Sequence, residues 1–275
     1  MGREKIRASV GILTLNCKDV LPRALESVKD FTDVFICDGN STDGTLDVAR
    51  QHGARIVKQF DTSEPNQKIT DFGAARTKCV NASLEAWHLR LDSDEYISPS
   101  LAREIARIVS APTPSARVYK VPRKYVWRGN IIDDTITYPN YQMRFFQRDA
   151  IEGYAKITHE RVVVSPGERI EKLPASAVMY VPLPDTYEAF DANRLSRALE
   201  WDRRQYEKTL TPRKWAWALV HSMALLTLYT LRLVRVRLWS RGNKLPLSFE
   251  LWRFKYLIAA NALATRIMLK KLISF

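Results

Sequence analysis

The hydrophobic positions in the first 60 residues follow a repeating strand-and-helix pattern. Residues 8–15 are almost continuously apolar, which is typical of a strand buried on both faces. Residues 20–29 then place leucine and valine at helical spacing. A second apolar run at 34–37 leads into a polar loop and a helix, and residues 55–60 indicate a third strand. This alternation predicts a parallel, doubly wound α/β sheet.

The pattern changes towards the middle of the chain. Residues 71–86 place small side chains on one face of a predicted helix, and residues 101–109 predict another helix. After a proline-rich loop, residues 117–127 alternate between apolar and polar side chains, as in an added β-ribbon. Residues 138–164 are aromatic-rich and also indicate strands. We therefore expect further strands beside the parallel sheet.

An acidic cluster ends the strand predicted just after the 71–86 helix. Apolar residues alternate from Leu89 and end abruptly at Asp92 and Asp94. The carboxyl edge of an open α/β sheet is where such folds bind ligands. Two carboxylates so close repel each other unless a cation lies between them, and a hard divalent cation prefers oxygen ligands. The alternative is a strand followed by an ordinary Asp/Ser helix cap.

The positive charge of the chain is concentrated in its last third. The net charge is +13, and residues 190–275 hold 17 Lys/Arg against 5 Asp/Glu, a net of +12 that leaves +1 for residues 1–189. We therefore predict a nearly neutral body over 1–189 and a basic, apolar helical region over 190–275. Such a region attracts polyanions, whether nucleic acid or an anionic membrane. No recognised nucleic-acid motif accompanies it, so we predict no nucleic-acid partner.

An uncharged segment lies within this basic region. Residues 215–231 carry no formal charge, are flanked by Lys/Arg, and as a helix would be about 26 Å long. That length is just short of the hydrocarbon core of a bilayer. Tryptophan and tyrosine beside cationic residues suit a membrane interface, so we expect in-plane or re-entrant docking rather than a span. The alternative is a helical hairpin packed on the body.

The N-terminus and the cysteines point to an intracellular location. No apolar run long enough for a signal peptide follows the first charged residues. The three cysteines are an odd number without metal-type spacing, which favours reduced, buried thiols in a cytosolic compartment.

Four motifs in order resemble glycosyltransferase family 2. They are SVGILTLN (9–16), ICDGNSTDGT (36–45), GAAR (73–76) and LDSDE (91–95). The resemblance implies the nucleotide-sugar-binding fold called GT-A, here a doubly wound mixed sheet followed by the C-terminal helical region. Order and spacing of four motifs over about ninety residues is a stronger signal than any one motif.

The resemblance also implies roles for individual residues. Contacts to a nucleotide-diphosphate sugar, a UDP-sugar in our prediction, are expected from Thr14, Asn16, Asp38, Gly73, Arg76, Asp92 and Arg144. Mg²⁺ or Mn²⁺ would be held by Asp94 with Asp92. Glu160 is the predicted catalytic base, because a carboxylate can accept the proton of the acceptor hydroxyl. His159 would orient that base, hold the diphosphate or contact the metal.

A narrower likeness points to a lipid acceptor. YPNYQMRFF (138–146) and THERV (158–162) resemble the branch that includes β-glucosyltransferases of the bacterial lipopolysaccharide core. This implies an inverting, metal-dependent transfer to a lipid-linked or lipopolysaccharide acceptor at the cytoplasmic face of the inner membrane. Two other functions stay open. One is a sugar-phosphate nucleotidyltransferase, although residues 13–18 lack the glycine-rich loop expected of it. The other is a non-catalytic membrane-bound binding module.

Overall fold

The computed structural model describes residues 4–155 and 161–273. The chain forms two structural units. The first contains residues 1–124 and 139–182, and the second contains residues 125–138 and 183–275. The second unit therefore includes a segment from the middle of the chain. The predicted division into domains at residue 189 stays a prediction.

Most strands of the first unit belong to one mixed sheet with helices between them. Its strand order is β3-β2-β1-β4-β8-β6-β12-β5. The described strands of the chain are β1 (Ile6–Thr14), β2 (Phe31–Asp38), β3 (Arg55–Lys58), β4 (Trp87–Asp92), β5 (Tyr96–Ile97), β6 (Val118–Trp127), β7 (Asn130–Ile131), β8 (Asn140–Gln147), β9 (Ile151–Ala155), β10 (Arg161–Val164), β11 (Ile170–Lys172) and β12 (Met179–Leu183). Of these, β9 and β10 pair as a separate two-stranded sheet, and β7 belongs to the second unit. The helices are α1 (Leu21–Ser27), α2 (Thr45–Gln51), α3 (Phe72–Asn81) and α4 (Pro99–Val109).

Strand direction divides the sheet into two parts. β3, β2, β1 and β4 are parallel, joined by α1, α2 and α3. β8 runs antiparallel to β4, and β6 antiparallel to β8. β6 and β7 form the predicted ribbon. The doubly wound mixed α/β sheet predicted from the sequence is confirmed.

The helix predicted over residues 71–86 is shorter than expected. α3 ends at Asn81 because backbone N–H groups that follow it bond to side chains of β1 and β2 instead of continuing the helix. The backbone N–H of Leu84 donates to Asp33 Oδ2 at 2.9 Å, and that of Glu85 donates to Ser9 Oγ at 3.0 Å. Periodicity cannot reveal these partners, which are remote in sequence. The small-residue face is correct, since Ala75 and Cys79 are buried.

A neutral histidine is buried where α3 meets β1 and β4. Burial, followed by the charges of Arg76 and Arg90, lowers the pKa of His88 to about 3 from 6.5. Its Nδ1 lies 2.8 Å from Ser83 Oγ. A Cβ added at Gly11 would come within 2.7 Å of the imidazole, so this part of the core leaves no spare room.

We expect His88 to make folding stability depend on acid pH. In the unfolded chain His88 becomes protonated below about pH 6.5, whereas in the folded chain it stays neutral down to about pH 3. Stability from this residue is therefore present above pH 6.5 and falls by about 1.4 kcal/mol per pH unit below it. Urea unfolding should show that the difference in unfolding free energy between wild type and His88→Gln decreases at this rate from pH 6.5 to pH 5. Parallel pH profiles of the two proteins would contradict the assignment.

The second unit is built around a helical hairpin. Its helices are α5 (Tyr187–Asp191), α6 (Arg194–Thr209), α7 (Pro212–Leu238) and α8 (Leu247–Ile273). α7 is long and apolar enough to cross a membrane by length and composition, with a mean hydropathy of 1.4 in its most apolar window. It is the sole helix with this property in the two described stretches.

Three arginines near the end of α7 have protein partners. Arg235 forms a bidentate pair with Asp134 at 2.7 and 2.8 Å, and Arg232 donates to the carbonyl of Ile136 at 3.1 Å. Arg237 donates to the carbonyl of Leu245 at 2.7 Å. In the sequence these arginines look like charges that flank a membrane segment. In the structure they connect α7 to the 131–137 segment and to the loop that precedes α8.

Candidate active site

The predicted donor residues converge at the carboxyl edge of the parallel strands. β1 lies between β2 and β4, with Thr14 opposite Asp38 and Leu13 opposite Asp92. Aspartates that are 54 positions apart in the sequence therefore lie on either side of one strand end. Parallel strands place their carboxyl ends at the same edge, which explains the convergence.

Asp38 is buried and fully hydrogen bonded at this edge. Its carboxylate accepts from Thr14 Oγ1 at 2.8 Å, from Ser41 N at 2.7 Å and from Ser41 Oγ at 2.6 Å. These bonds orient the carboxylate and fix the start of the loop after β2. The predicted contacts of Thr14 and Asp38 with the nucleoside stay predictions. Ser41, which the sequence did not single out, completes the cluster.

Asn16 connects three loops at the sheet edge. It adopts a positive φ of 48°, which asparagine tolerates better than most residues. Its side chain donates to Asn66 Oδ1 at 2.9 Å and accepts from the backbone of Thr42 at 3.0 Å. The loops after β1, β2 and β3 are thus held together. Asn16 is exposed beside the cluster, and its role in donor binding stays a prediction.

The first turn of α3 supplies the next predicted residues. Asp71 caps this helix by accepting from Ala74 N at 2.9 Å. Gly73 is buried in the first turn, and Arg76 is buried one turn further on. The guanidinium of Arg76 points to the end of β4, where it donates to Asp92 Oδ1. Arg76 therefore contacts a protein carboxylate, and its predicted contact with phosphate remains untested.

Asp92 is surrounded by arginines. Arg76 contacts one carboxylate oxygen, and Arg144 Nη2 lies 3.0 Å from the other. Burial opposes ionisation of Asp92, but the positive charges of Arg144, Arg76 and Arg90 outweigh it and hold its pKa well below the usual range. This carboxylate is therefore ionised and joins β4, α3 and β8.

Asp94 lies in a different environment. It is exposed, and its carboxylate forms no ion pair with any residue of 4–155 or 161–273. Loss of hydration, then the negative charges of Glu95 and Asp92, raise its pKa. A bound cation would relieve this repulsion, so the donor set fits Mg²⁺ or Mn²⁺. Within the described residues, no group of three His, Cys, Asp or Glu side chains could hold a metal.

The small number of protein ligands is compatible with the predicted metal. Mg²⁺ usually binds through one or two carboxylates and completes its shell with water and substrate phosphates. Asp94 offers such a carboxylate, whereas both Asp92 oxygens already accept from arginines. Metal binding by Asp94 and Asp92 stays a prediction, with Asp94 the better suited of the two.

Glu95 and Arg123 complete the site beneath the Asp92 loop. Glu95 is 2% exposed and contacts Arg144 Nη2 at 3.2 Å and the guanidinium of Arg123. Burial opposes the charge of Arg144, but Asp92 and Glu95 raise its pKa above the usual value. The predicted phosphate contact of Arg144 is untested. The sequence motifs assigned no role to Glu95 or Arg123. A sequence signal existed for Glu95 alone, which belongs to the acidic stretch at the end of β4.

The predicted catalytic pair lies outside the described residues. Glu160 and His159 belong to residues 156–160, between β9 and β10. Their catalytic roles therefore stay predictions from the sequence.

Comparison with known proteins decides the family. The sequence profile described as Glycosyl transferase family 2 matches residues 9–159, more than half of the chain. The chain belongs to glycosyltransferase family 2. This membership confirms the family and enzyme class predicted from the four motifs. The matched region extends from within β1 to beyond the end of β9 and therefore includes every edge residue described above.

Relatives of this family-2 protein resemble it over part of their length. An uncharacterised glycosyltransferase of Rickettsia typhi is 31% identical over 126 residues, which cover 45% of this chain and 40% of the relative. A PGL/p-HBAD biosynthesis glycosyltransferase of Mycobacterium bovis is 34% identical over 121 residues, covering 40% and 44%. The match therefore spans less than half of each relative.

The solved structures support the fold of this family-2 chain. The structure of S. aureus TarS residues 1–349 in complex with UDP-GlcNAc superposes with a TM-score of 0.51. It covers 94% of this chain and 90% of that one at 13% identity. At this identity the likeness shows the fold alone, in agreement with the predicted GT-A class.

Proposed function

We propose that the protein transfers a sugar from a nucleotide-diphosphate sugar, with inversion, to a lipid-linked or lipopolysaccharide-core acceptor. The observation that supports it most is the convergence of Asp38, the arginine-held Asp92 and the exposed Asp94, which has no ion pair among the described residues, at one sheet edge of a family-2 chain. Asp38 faces the nucleoside, and Asp94 faces the diphosphate. The S. aureus protein of similar fold was solved with UDP-GlcNAc, so a UDP-sugar is the proposed donor.

The proposed reaction is a single displacement. Glu160 takes the proton of the acceptor hydroxyl as the oxygen attacks the anomeric carbon, and the bond from that carbon to the diphosphate breaks on the opposite face. The configuration is therefore inverted. Mg²⁺ or Mn²⁺, when bound, supplies positive charge to the leaving diphosphate. Arg76 and Arg144 hold Asp92, and through it the loop that carries Asp94.

The reaction can be tested with purified full-length protein and a panel of nucleotide sugars. We expect release of nucleoside diphosphate from one donor with Mg²⁺ or Mn²⁺, and loss of that release in excess EDTA. Formation of pyrophosphate from a nucleoside triphosphate and a sugar phosphate would instead identify a nucleotidyltransferase. No release from any donor, with membrane binding retained, would favour the binding module.

We also propose that this activity takes place at the cytoplasmic face of the inner membrane, and one face of α7 supports the membrane association that this requires. Between Lys214 and Arg232 the exposed face of α7 carries no formal charge, over about 27 Å of helix. Trp217, Val220 and Met223 are 66–68% exposed on it. Apolar exposure of this extent is unusual for a surface in water and suits a lipid interface.

Charges placed on this face should weaken docking strongly. We expect Val220→Glu with Met223→Glu to weaken binding to anionic vesicles by at least about 30-fold, because two buried apolar contacts are replaced by charges. Co-sedimentation measures the binding. Leu84→Glu, at an apolar site in the first unit that is 72% exposed, is the control and should bind like wild type. Unchanged binding of the double variant would reject this face as the docking surface.

A further inference from the structure

A basic groove lies between α6 and α8 in the second unit. Its volume is about 400 Å³. Four cationic side chains line it, namely Arg203 from α6 and Arg266, Lys270 and Lys271 from α8. One carboxylate, that of Glu207, also lines it. The groove therefore carries a net positive charge and attracts anions.

Two of these cations are available to a ligand. Within residues 161–273, no carboxylate pairs with Arg203 or Arg266. Lys271 is held in place, because its Nζ donates to the carbonyls of Tyr206, Glu207 and Leu210 at 2.8–3.2 Å. An arginine from each helix thus lines the groove together with a fixed ammonium group. Guanidinium groups match the oxygens of a phosphate bidentately.

The remainder of the groove is apolar. Leu263 and Ile267 line it, and Ile267 is buried in a cluster with Leu210 and Met268. Next to the groove along α8, Leu269, Leu272 and Ile273 are 54%, 59% and 84% exposed. A ligand here would contact cations and aliphatic surface together. A nucleic acid or a free nucleotide would gain nothing from the exposed leucines.

We propose that this groove binds the phosphate headgroup of an anionic phospholipid, with the exposed leucines of α8 entering the acyl region beside it. The proposal rests on the membrane location proposed above and adds a defined site to the uncharged face of α7. The helices that carry the two surfaces are in contact, since Trp215 at the start of α7 donates to Thr265 Oγ1 of α8 at 3.1 Å. Docking therefore combines apolar burial with recognition of phosphate.

The test compares two double variants with the same change in charge. Arg203→Gln with Arg266→Gln removes both available groove arginines. The control, Arg197→Gln with Arg204→Gln, removes two exposed α6 arginines that lie outside the groove. Binding of each full-length protein to phosphatidylglycerol and phosphatidylcholine vesicles is measured by co-sedimentation at low salt.

We expect the groove variant to bind phosphatidylglycerol vesicles about 30-fold more weakly than wild type, as two cations near an anionic surface would give. Binding of the control variant to the same vesicles should weaken threefold or less. Equal losses in the two variants would overturn the site in favour of general charge attraction. A wild-type preference for phosphatidylcholine would overturn it as well.

A soluble phosphate source is distinguished by competition. Inorganic phosphate and glycerol phosphate at millimolar concentration should leave vesicle binding unchanged after correction for ionic strength. Displacement of the protein from vesicles by either compound, with wild type but not the groove variant, would show a free-phosphate site instead. Donor turnover without vesicles should be equal in all three proteins, so failure of the proposed reaction would show there and not in the vesicle series.

Discussion

Asp94→Asn is expected to abolish cation-dependent turnover of the donor while leaving the fold unchanged. The carboxylate is exposed and forms no ion pair within the described residues, so its loss removes no structural contact. The amide is a poor ligand for a hard cation, and we expect turnover to fall on the order of 10²- to 10³-fold. Nucleotide release across a Mg²⁺ and Mn²⁺ series measures this. Turnover that persists in excess chelator would exclude a metal role for Asp94.

The matched variant Asp92→Asn should behave differently. It removes the charge that faces Arg76 and Arg144, both buried, and Arg144 keeps only its contact with Glu95 at 3.2 Å as a charged partner among those described above. Breaking a buried ion pair in this way costs about 3 kcal/mol. Urea unfolding should therefore show a clear decrease in the free energy of unfolding for Asp92→Asn and almost no decrease for Asp94→Asn. Equal stability of the two variants would mean that the Asp92 network adds little to folding.

Glu160→Gln is expected to have the second large effect on catalysis. The substitution keeps the shape of the side chain but removes its basicity, so turnover should fall on the order of 10²-fold or more while donor affinity stays near normal. Donor binding by calorimetry and turnover by nucleotide release separate the two quantities.

The neighbouring glutamate offers a control for this prediction. Glu152 is exposed on β9, and Glu152→Gln carries the same change in charge without a predicted role. It should retain wild-type turnover. Full activity of Glu160→Gln would assign the base to another residue, and a parallel loss in both variants would point to a general electrostatic effect.

The sequence by itself determined the family, the order of the elements and the edge where the chemistry lies. The period of the apolar residues and the composition of the loops are properties of short stretches of sequence. The parallel direction of the first strands follows from the alternation of strands and helices. The convergence of Asp38 and Asp92 was therefore foreseeable, because parallel strands end at the same edge. The concentration of positive charge after residue 190 was equally visible.

Only the tertiary structure separated residues that look alike in the sequence. Asp92 and Asp94 stand two positions apart, yet buried arginines from α3 and β8 hold one and leave the other exposed. Arg232, Arg235 and Arg237 resemble membrane-flanking charges, yet all three have protein partners, whereas Arg203 and Arg266 share a groove. The reason is physical. The surroundings of a charged side chain are set by elements distant in sequence, and no local pattern records which partner a charge will meet.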